Sequence, residues 1–302
     1  MIEKNASMQI QAVLYHNNLC ALERSLLSLA NAARVAQEKG LLGSVTLCWG
    51  DASKEPLYPA NTLDRLQKCL QDTFGQAPLT VQYQFFNENT GYGKGHNRMF
   101  AACESDLLLI LNPDIVVPQD FFEAMLAPFS DGTVGLTEAR QTPVEHPKKV
   151  DPQTGEVEWA SGACFVIPAP LFRELGGFDD HHFFMYFEDV DLSMRIRQKQ
   201  KRLIYCANAP VYHSKGFDKK TGQMCHAASE LYFSAEASLA FAYKWHQSSW
   251  LSYLRSVYKS GTDHQRRALA AFEDRLSKGE LTRIEGDTSV FKRKYLDNRY
   301  EM

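Results

Sequence analysis

The sequence predicts an α/β fold, with a Rossmann-like, mostly parallel central sheet flanked by helices and a helical C-terminal extension. Two observations predict it. Short apolar runs alternate with helix-like segments through the first half of the chain. One of those runs, "DLLLILNPDIVV", is too apolar to have a wet face, as expected of a strand covered on both sides of a parallel sheet. The expected division is an α/β domain over residues 1–220 and a mainly helical extension over residues 221–302.

The elements follow in order. "MQIQAVLYHNN" reads as a strand, and "ALERSLLSLANAARVAQEKG" as a helix closed by Gly40. "SVTLCWGDAS" is a strand running into a turn. "NTLDRLQKCLQDTFG" is a helix with Asn61 as its N-cap. "LTVQYQFF" is a third strand, followed by a glycine-rich loop, "NENTGYGKGHN", and a short helix, "HNRMFAACE". Beyond the apolar "DLLLILNPDIVV" strand, "EVEWASGACFVI" reads as one strand and "PLFRELGGFDD" as a short helix closed by glycines. "FFMYFEDVDLSMRIRQKQK" places aromatics before an acidic helix start, and "RLIYCANAPVYHSKG" is a strand with a histidine near its exit. After about Thr221 the chain reads as helical and aromatic. In such sheets ligands sit at the carboxyl ends of the strands. Three of those ends carry polar clusters: "YHNN", "GDAS" and "NPD".

Composition narrows the class. The 302 residues suffice for one large or two small domains. A formal charge of −3 argues against a nucleic-acid partner. The seven cysteines are odd in number and form no C-x-x-C pair, which points to a reducing compartment and away from a disulfide framework or zinc site. "MIEKNASMQI" lacks the apolar core of a signal peptide, and no uncharged apolar run reaches the ~20 residues that cross a bilayer. A cytoplasmic protein is expected. From Lys244 onward there are 12 Lys+Arg against 8 Asp+Glu, a local net of +4 that leaves −7 for the remainder. A basic, aromatic tail on an acidic body suits anionic lipid or a phosphorylated substrate, or is a solvated helical face.

The glycine loop fits neither familiar phosphate motif. A kinase- or ATPase-type loop needs G-x-x-x-x-G-K-S/T, but Lys94 is followed by Gly95 and no hydroxyl comes next. A dinucleotide fingerprint needs G-x-G-x-x-G, but the third glycine position holds His96. In "LNPDIVV", Pro113 stiffens a turn that puts Asp114 just past a buried strand. A carboxylate fixed there could hold a hard divalent cation, or cap the following helix. "MYFEDVDLSMR" crowds Glu188, Asp189 and Asp191 into four residues. Asp191 and Arg195 have i, i+4 spacing and read as a structural ion pair, while acids in general suit a helix N-terminus. A carboxylate behind an aromatic wall would gain basicity and could take a proton from a hydroxyl. His213 matters to the chemistry only if it converges with Asp114.

The blocks "VLYHNN", "GDAS", "NENTGYGKGHN", "LNPDIVV", "SGACFVI…GGFDDHHFFMYFEDVDLSMR" and "APVYHSKG" occur in this order over about residues 8 to 216. This order resembles the family 2 glycosyltransferases with the GT-A fold, in particular their bacterial rhamnosyltransferase-like branch. The resemblance implies metal-dependent, inverting transfer of a sugar, with Mg²⁺ or Mn²⁺ as cofactor, from a nucleoside diphosphate sugar such as dTDP-L-rhamnose. The acceptor it implies is a hydroxyl of a surface polysaccharide or lipid-linked glycan.

Asp114 matches the last carboxylate of the family's metal motif, and Asn112 stands where many members have the first acid. His213 matches the histidine that completes the metal site, and Asp189 the catalytic base. The glycine loop matches the segment along the donor. The expected donor contacts are Tyr15, Asn17, Asp51, Asn89, Gly91, Gly93, Gly95, Asn97 and Asn112. Trp159, Phe184, Tyr186 and Glu188 are expected to wall the acceptor pocket. The family usually has Asp-Asn-x-Ser after its second strand. Gly50-Asp51-Ala52-Ser53 displaces the acid by one residue, so Asp51 departs from the pattern. The tail is expected to touch the cytoplasmic face of the membrane or to build a homo-oligomer.

Two other classes compete. A sugar-1-phosphate nucleotidyltransferase should carry a glycine- and basic-rich signature near its N-terminus, and "AVLYHNNLCALERS" has none. A non-catalytic subunit would be free to lose its acids, yet the metal and base positions are both acidic.

Overall fold

The structure, a computed structural model, describes residues 4–59, 61–213 and 228–290. Strands β1 (Ala6–Leu14), β2 (Leu42–Asp51), β3 (Thr80–Phe85) and β4 (Leu107–Leu111) alternate with helices α1 (Leu19–Glu38), α2 (Thr62–Phe74) and α3 (Tyr92–Phe100). Then come α4 (Phe121–Leu126), a short 3-10 turn, β5 (Val134–Thr142), β6 (Glu156–Val157), β7 (Cys164–Pro168) and α5 (Ala169–Glu174). Helix α6 (Glu188–Gln198) leads to β8 (Arg202–Tyr212), and α7 (Ala228–Lys244), α8 (Ser248–Lys259) and α9 (Asp263–Ser277) follow.

The eight strands form one sheet in the order β3-β2-β1-β4-β7-β5-β8-β6. The first four are mutually parallel, and β7 runs antiparallel between β4 and β5. All five residues of β4 are buried, as its unbroken apolar run requires. Register gathers the polar ends. Leu14 pairs with Asp51, and Asp51 with Phe85. Leu111 pairs with Cys164, so the antiparallel β7 brings the segment before it to the same edge as the "NPD" turn. A bridge between Val116 and Tyr212 adds the exit of β8.

Four local expectations are corrected. "EVEWASGACFVI" is two strands: β6 pairs with β8, and β7 enters the sheet after a loop. β5 was not anticipated, because Glu138 and Arg140 interrupt its apolar pattern. Asn61 precedes α2 but makes no capping bond with its side chain. Helix α3 begins inside the glycine loop, so Gly93 and Gly95 are helical.

The expected boundary between residues 220 and 221 lies outside the described residues, as does Cys225. The helices after it share a core with the segment that leads into α6: Phe183, Val190 and Met194 pack with Phe241, Trp245, Trp250 and Phe272. Phe241, Trp245, Trp250, Tyr258 and Phe272 are therefore interior side chains, while Tyr253 stays exposed. No helix among the described residues is long and apolar enough to cross a membrane.

Candidate active site

Two cavities open along the edge where the strand ends meet. The smaller, of about 450 Å³, is lined by Tyr92, Trp159, Tyr186, Glu188, Asp189 and His213 among others. The larger, of about 760 Å³, is lined by Tyr15, Asn17, Arg24, Asp114, Tyr212 and Glu230 among others. Asn112 and Met185 line both, so the cavities meet there.

The joint is built by the turn after β4. Asn112 N donates to Ala163 O at 2.8 Å, and His213 N to Thr142 O at 2.9 Å. His213 Nδ1 stands 3.0 Å from Gln141 Oε1. With the amide oxygen as acceptor, the ring proton sits on Nδ1 and Nε2 is the acceptor nitrogen. Nε2 faces Asn112 Nδ2 at 3.1 Å and Asp114 Oδ1 at 3.6 Å. Burial pushes the Asp114 carboxyl above its ordinary range. This donor set suits a hard divalent cation. Two adjacent ligands at ~2.1 Å from one ion would stand about 3 Å apart, close to the observed separation. No group of three or more His, Cys, Asp or Glu side chains is placed to hold a metal among the described residues. The protein offers two ligands, and substrate phosphates and water would complete the shell, a common arrangement for Mg²⁺.

Asp189 reaches the smaller cavity through an unusual backbone. Tyr186 and Phe187 both have positive φ, 71° and 64°. Such residues cost about 1–3 kcal/mol each and persist only where their surroundings enforce them. Here they turn the chain from the cavity wall directly into α6. Asp189 Oδ2 accepts from Gly162 N at 2.7 Å, and Oδ1 from Val190 N at 2.8 Å. Burial raises its pKa and these amide bonds oppose the rise; the net direction is upward.

Glu188 beside it is pushed much further up, first by burial and then by the charge of Asp189. Its Oε2 has no hydrogen-bond partner among the described residues. Burial and the neighbouring charge thus favour the protonated form of Glu188 over that of Asp189. Asp191 is the structural acid its spacing predicts. It is fully buried and bound by Arg195 Nε at 2.7 Å, Lys244 Nζ at 2.6 Å and Trp245 Nε1 at 2.9 Å. It thereby ties the C-terminal helices to α6.

Other expected residues fall differently. Tyr15 and Asn17 line the larger cavity, with Asn17 Oδ1 accepting from Tyr15 N at 2.7 Å. Asp51 lines neither cavity. It is fully buried and accepts from Ser53 N at 2.9 Å, Leu57 N at 2.8 Å and the Tyr83 hydroxyl. The displaced acid thus organises the turn after β2.

The glycine loop also turns inward. A Cβ on Gly91 would lie 2.2 Å from the Phe184 carbonyl oxygen, and one on Gly95 would lie 2.7 Å from Val13. Tyr92 N donates to that same carbonyl at 3.0 Å. Asn89 Oδ1 accepts from Gly91 N. Asn97 brackets Phe178, donating to its carbonyl at 2.8 Å and accepting from its amide at 2.9 Å. None of Asn89, Gly91, Gly93, Gly95 and Asn97 is among the walls of either cavity. The glycines let α3 close on its neighbours. Phe184 packs on Phe233 instead of walling the smaller cavity, where Met185, Tyr186 and Phe187 stand.

Sequence reasoning missed Tyr92, whose hydroxyl donates to Gly162 O, and Arg24, Glu138 and Lys148. Helical spacing from the cap at Asn18 is the one signal that could have found Arg24.

Comparison with known proteins agrees with this geometry. Residues 59–192 match the model of "Glycosyl transferase family 2". The chain is 32% identical over 106 residues to an N-acetylglucosaminyl-diphospho-decaprenol L-rhamnosyltransferase of Mycobacterium tuberculosis, covering 35% of this chain and 32% of that protein. The match thus spans about a third of that relative's length. Identity to the rhamnosyltransferase WbbL of Escherichia coli (strain K12) is 26% over 202 residues, covering 54% of this chain and 70% of that one. In fold it is similar to the mannosyltransferase PcManGT from Pyrobaculum calidifontis, solved with GDP-Man and Mn²⁺, with a TM-score of 0.53, 14% identity, and coverage of 90% of this chain and 81% of that one. Residues 59–192 thus match glycosyltransferase family 2, the sequence is similar to two rhamnosyltransferases, and the architecture around the matched block is the GT-A fold.

Proposed function

We propose that this protein is an inverting glycosyltransferase that moves L-rhamnose from dTDP-L-rhamnose to a hydroxyl of a lipid-linked or surface-polysaccharide glycan, with Mg²⁺ or Mn²⁺ held by Asp114 and His213. The observation that carries the reading is the joint between the cavities, with Asp114 on one side and Asp189 on the other. The nucleotide sugar occupies the larger cavity, where Arg24 brings positive charge toward a diphosphate. The acceptor occupies the smaller, largely aromatic one.

The acceptor hydroxyl gives its proton to Asp189. Its oxygen bonds to the anomeric carbon as the bond from that carbon to the diphosphate oxygen breaks, with inversion. The cation, when bound, supplies positive charge to the departing diphosphate. Gly162 N and Val190 N hold the Asp189 carboxylate in place.

The sugar is assigned from relatives named as rhamnosyltransferases and from the wall at the joint. Met185 is apolar and suits the 6-methyl of rhamnose. A hexose 6-hydroxyl buried there without a partner would lose about 1–3 kcal/mol, roughly a 5- to 150-fold preference. A lipid-linked acceptor accords with the name of the mycobacterial relative. Membrane contact would rest mainly on cations, because Trp245 and Trp250 are buried.

The test is a calorimetric titration of dTDP-L-rhamnose, UDP-glucose, UDP-galactose and UDP-N-acetylglucosamine with Mg²⁺ present. Tighter binding of dTDP-L-rhamnose is expected. Equal binding of a UDP-hexose would leave a glycosyltransferase with a different donor, and no binding of any would favour a non-catalytic subunit.

A further inference from the structure

A buried ion pair lies behind the acceptor wall. After β5 the chain runs through residues 143–150 to a bridge between Val150 and Val157. Lys148, on this segment, points inward: its side chain is 2% exposed, and its Nζ meets Glu138 Oε1 at 2.5 Å, with Glu138 at 0%. The same ammonium lies 4.2 Å from the centre of the Trp159 ring. Trp159 is a wall of the smaller cavity and Lys148 is not, so the indole stands between the ammonium it contacts and the acceptor space it lines. Glu138 Oε1 also accepts from Ser161 N at 2.9 Å, and the next amide, Gly162 N, holds Asp189 Oδ2 at 2.7 Å.

An ion pair hidden from water adds little net stability, because desolvation offsets most of the attraction. Its consequence here is geometric. The pair connects three things that an acceptor requires in register: an aromatic plate, the loop before β7, and the base. An ammonium over an indole holds the ring by cation–π attraction.

We propose that Lys148, paired with Glu138, is a positioning residue that fixes Trp159 as the platform on which an acceptor sugar ring stacks beside Asp189. This rests on the glycosyltransferase reading for its substrate, and on the packing alone for its mechanics.

The probes are octyl β-glycosides of N-acetylglucosamine, glucose and galactose, used as acceptors. Lys148→Met is expected to raise the acceptor KM at least tenfold, with kcat within threefold of the parent and nucleotide affinity unchanged. Because it strands a buried carboxylate, the double variant Glu138→Gln/Lys148→Met is measured beside it. The double variant should recover thermal stability without recovering acceptor KM. An unchanged KM in Lys148→Met, or its recovery in the double variant, would overturn the proposal.

A parent protein that uses none of the glycosides with any sugar nucleotide counts against the functional reading. The positioning claim is then decided without turnover. Acrylamide quenching of the Trp159 emission, taken as parent minus Trp159→Phe, should at least double in Lys148→Met. No change in quenching would overturn it.

Discussion

Asp114 Oδ1 and His213 Nε2 stand 3.6 Å apart at the joint of two cavities, one at the end of β4 and the other past the end of β8. Asp114→Ala is expected to abolish both transfer and the metal dependence of nucleotide binding. His213→Ala should do less harm, since metal-bound water can replace one neutral ligand. Titrating nucleotide with and without Mg²⁺ checks both, and full activity in excess EDTA would contradict the assignment.

Asp189→Asn should lower turnover by about 10²–10⁴-fold, the usual loss on removing a general base. Donor affinity should stay near that of the parent, because Asp189 lines only the smaller cavity. Turnover within threefold of the parent would remove Asp189 from the role.

Glu188→Gln gives the contrasting result. A neutral amide replaces a carboxyl that burial and the Asp189 charge push toward its protonated form. Turnover near neutral pH is expected to stay within about tenfold of the parent, well above that of Asp189→Asn. A loss as deep as that of Asp189→Asn would make Glu188 the base.

Glu138 predicts a pH dependence of stability. Burial raises its pKa from 4.5 to about 7, against the pull of Lys148. The folded state then binds more protons than the unfolded state between those values, so this group's contribution falls as pH rises through that window. Glu138→Gln should flatten the decline. Melting temperatures of parent and variant from pH 4.5 to 7.5 would check it, and parallel curves would refute it.

Binding to anionic liposomes should be weak and abolished by salt. Each Lys or Arg near such a surface contributes about 1 kcal/mol, and no buried tryptophan is free to add an apolar anchor. Flotation at low and high salt decides this. Salt-resistant binding would point to an apolar contact made by exposed side chains such as Leu231 or Tyr253.

Features governed by neighbours in the chain were legible in the sequence. The apolar run of β4, the i, i+4 pair of Asp191 and Arg195, and the polar strand ends all depend on local periodicity, which a linear sequence carries directly. Their order along the chain carried the family resemblance as well. Long-range packing decided the rest. Gly91 reads as a ligand cradle until Phe184 is seen against it, and Asp51 as a donor contact until Tyr83 and Leu57 are seen to occupy its oxygens. Trp245 and Trp250 look available to a membrane until Phe183 and Phe241 enclose them. Glu138 and Lys148 carry no local signal of their place, and the fold buries them as a pair beside Trp159. Whether a polar group faces a ligand or another part of the protein depends on which distant segment satisfies it, and only the folded chain brings that segment near.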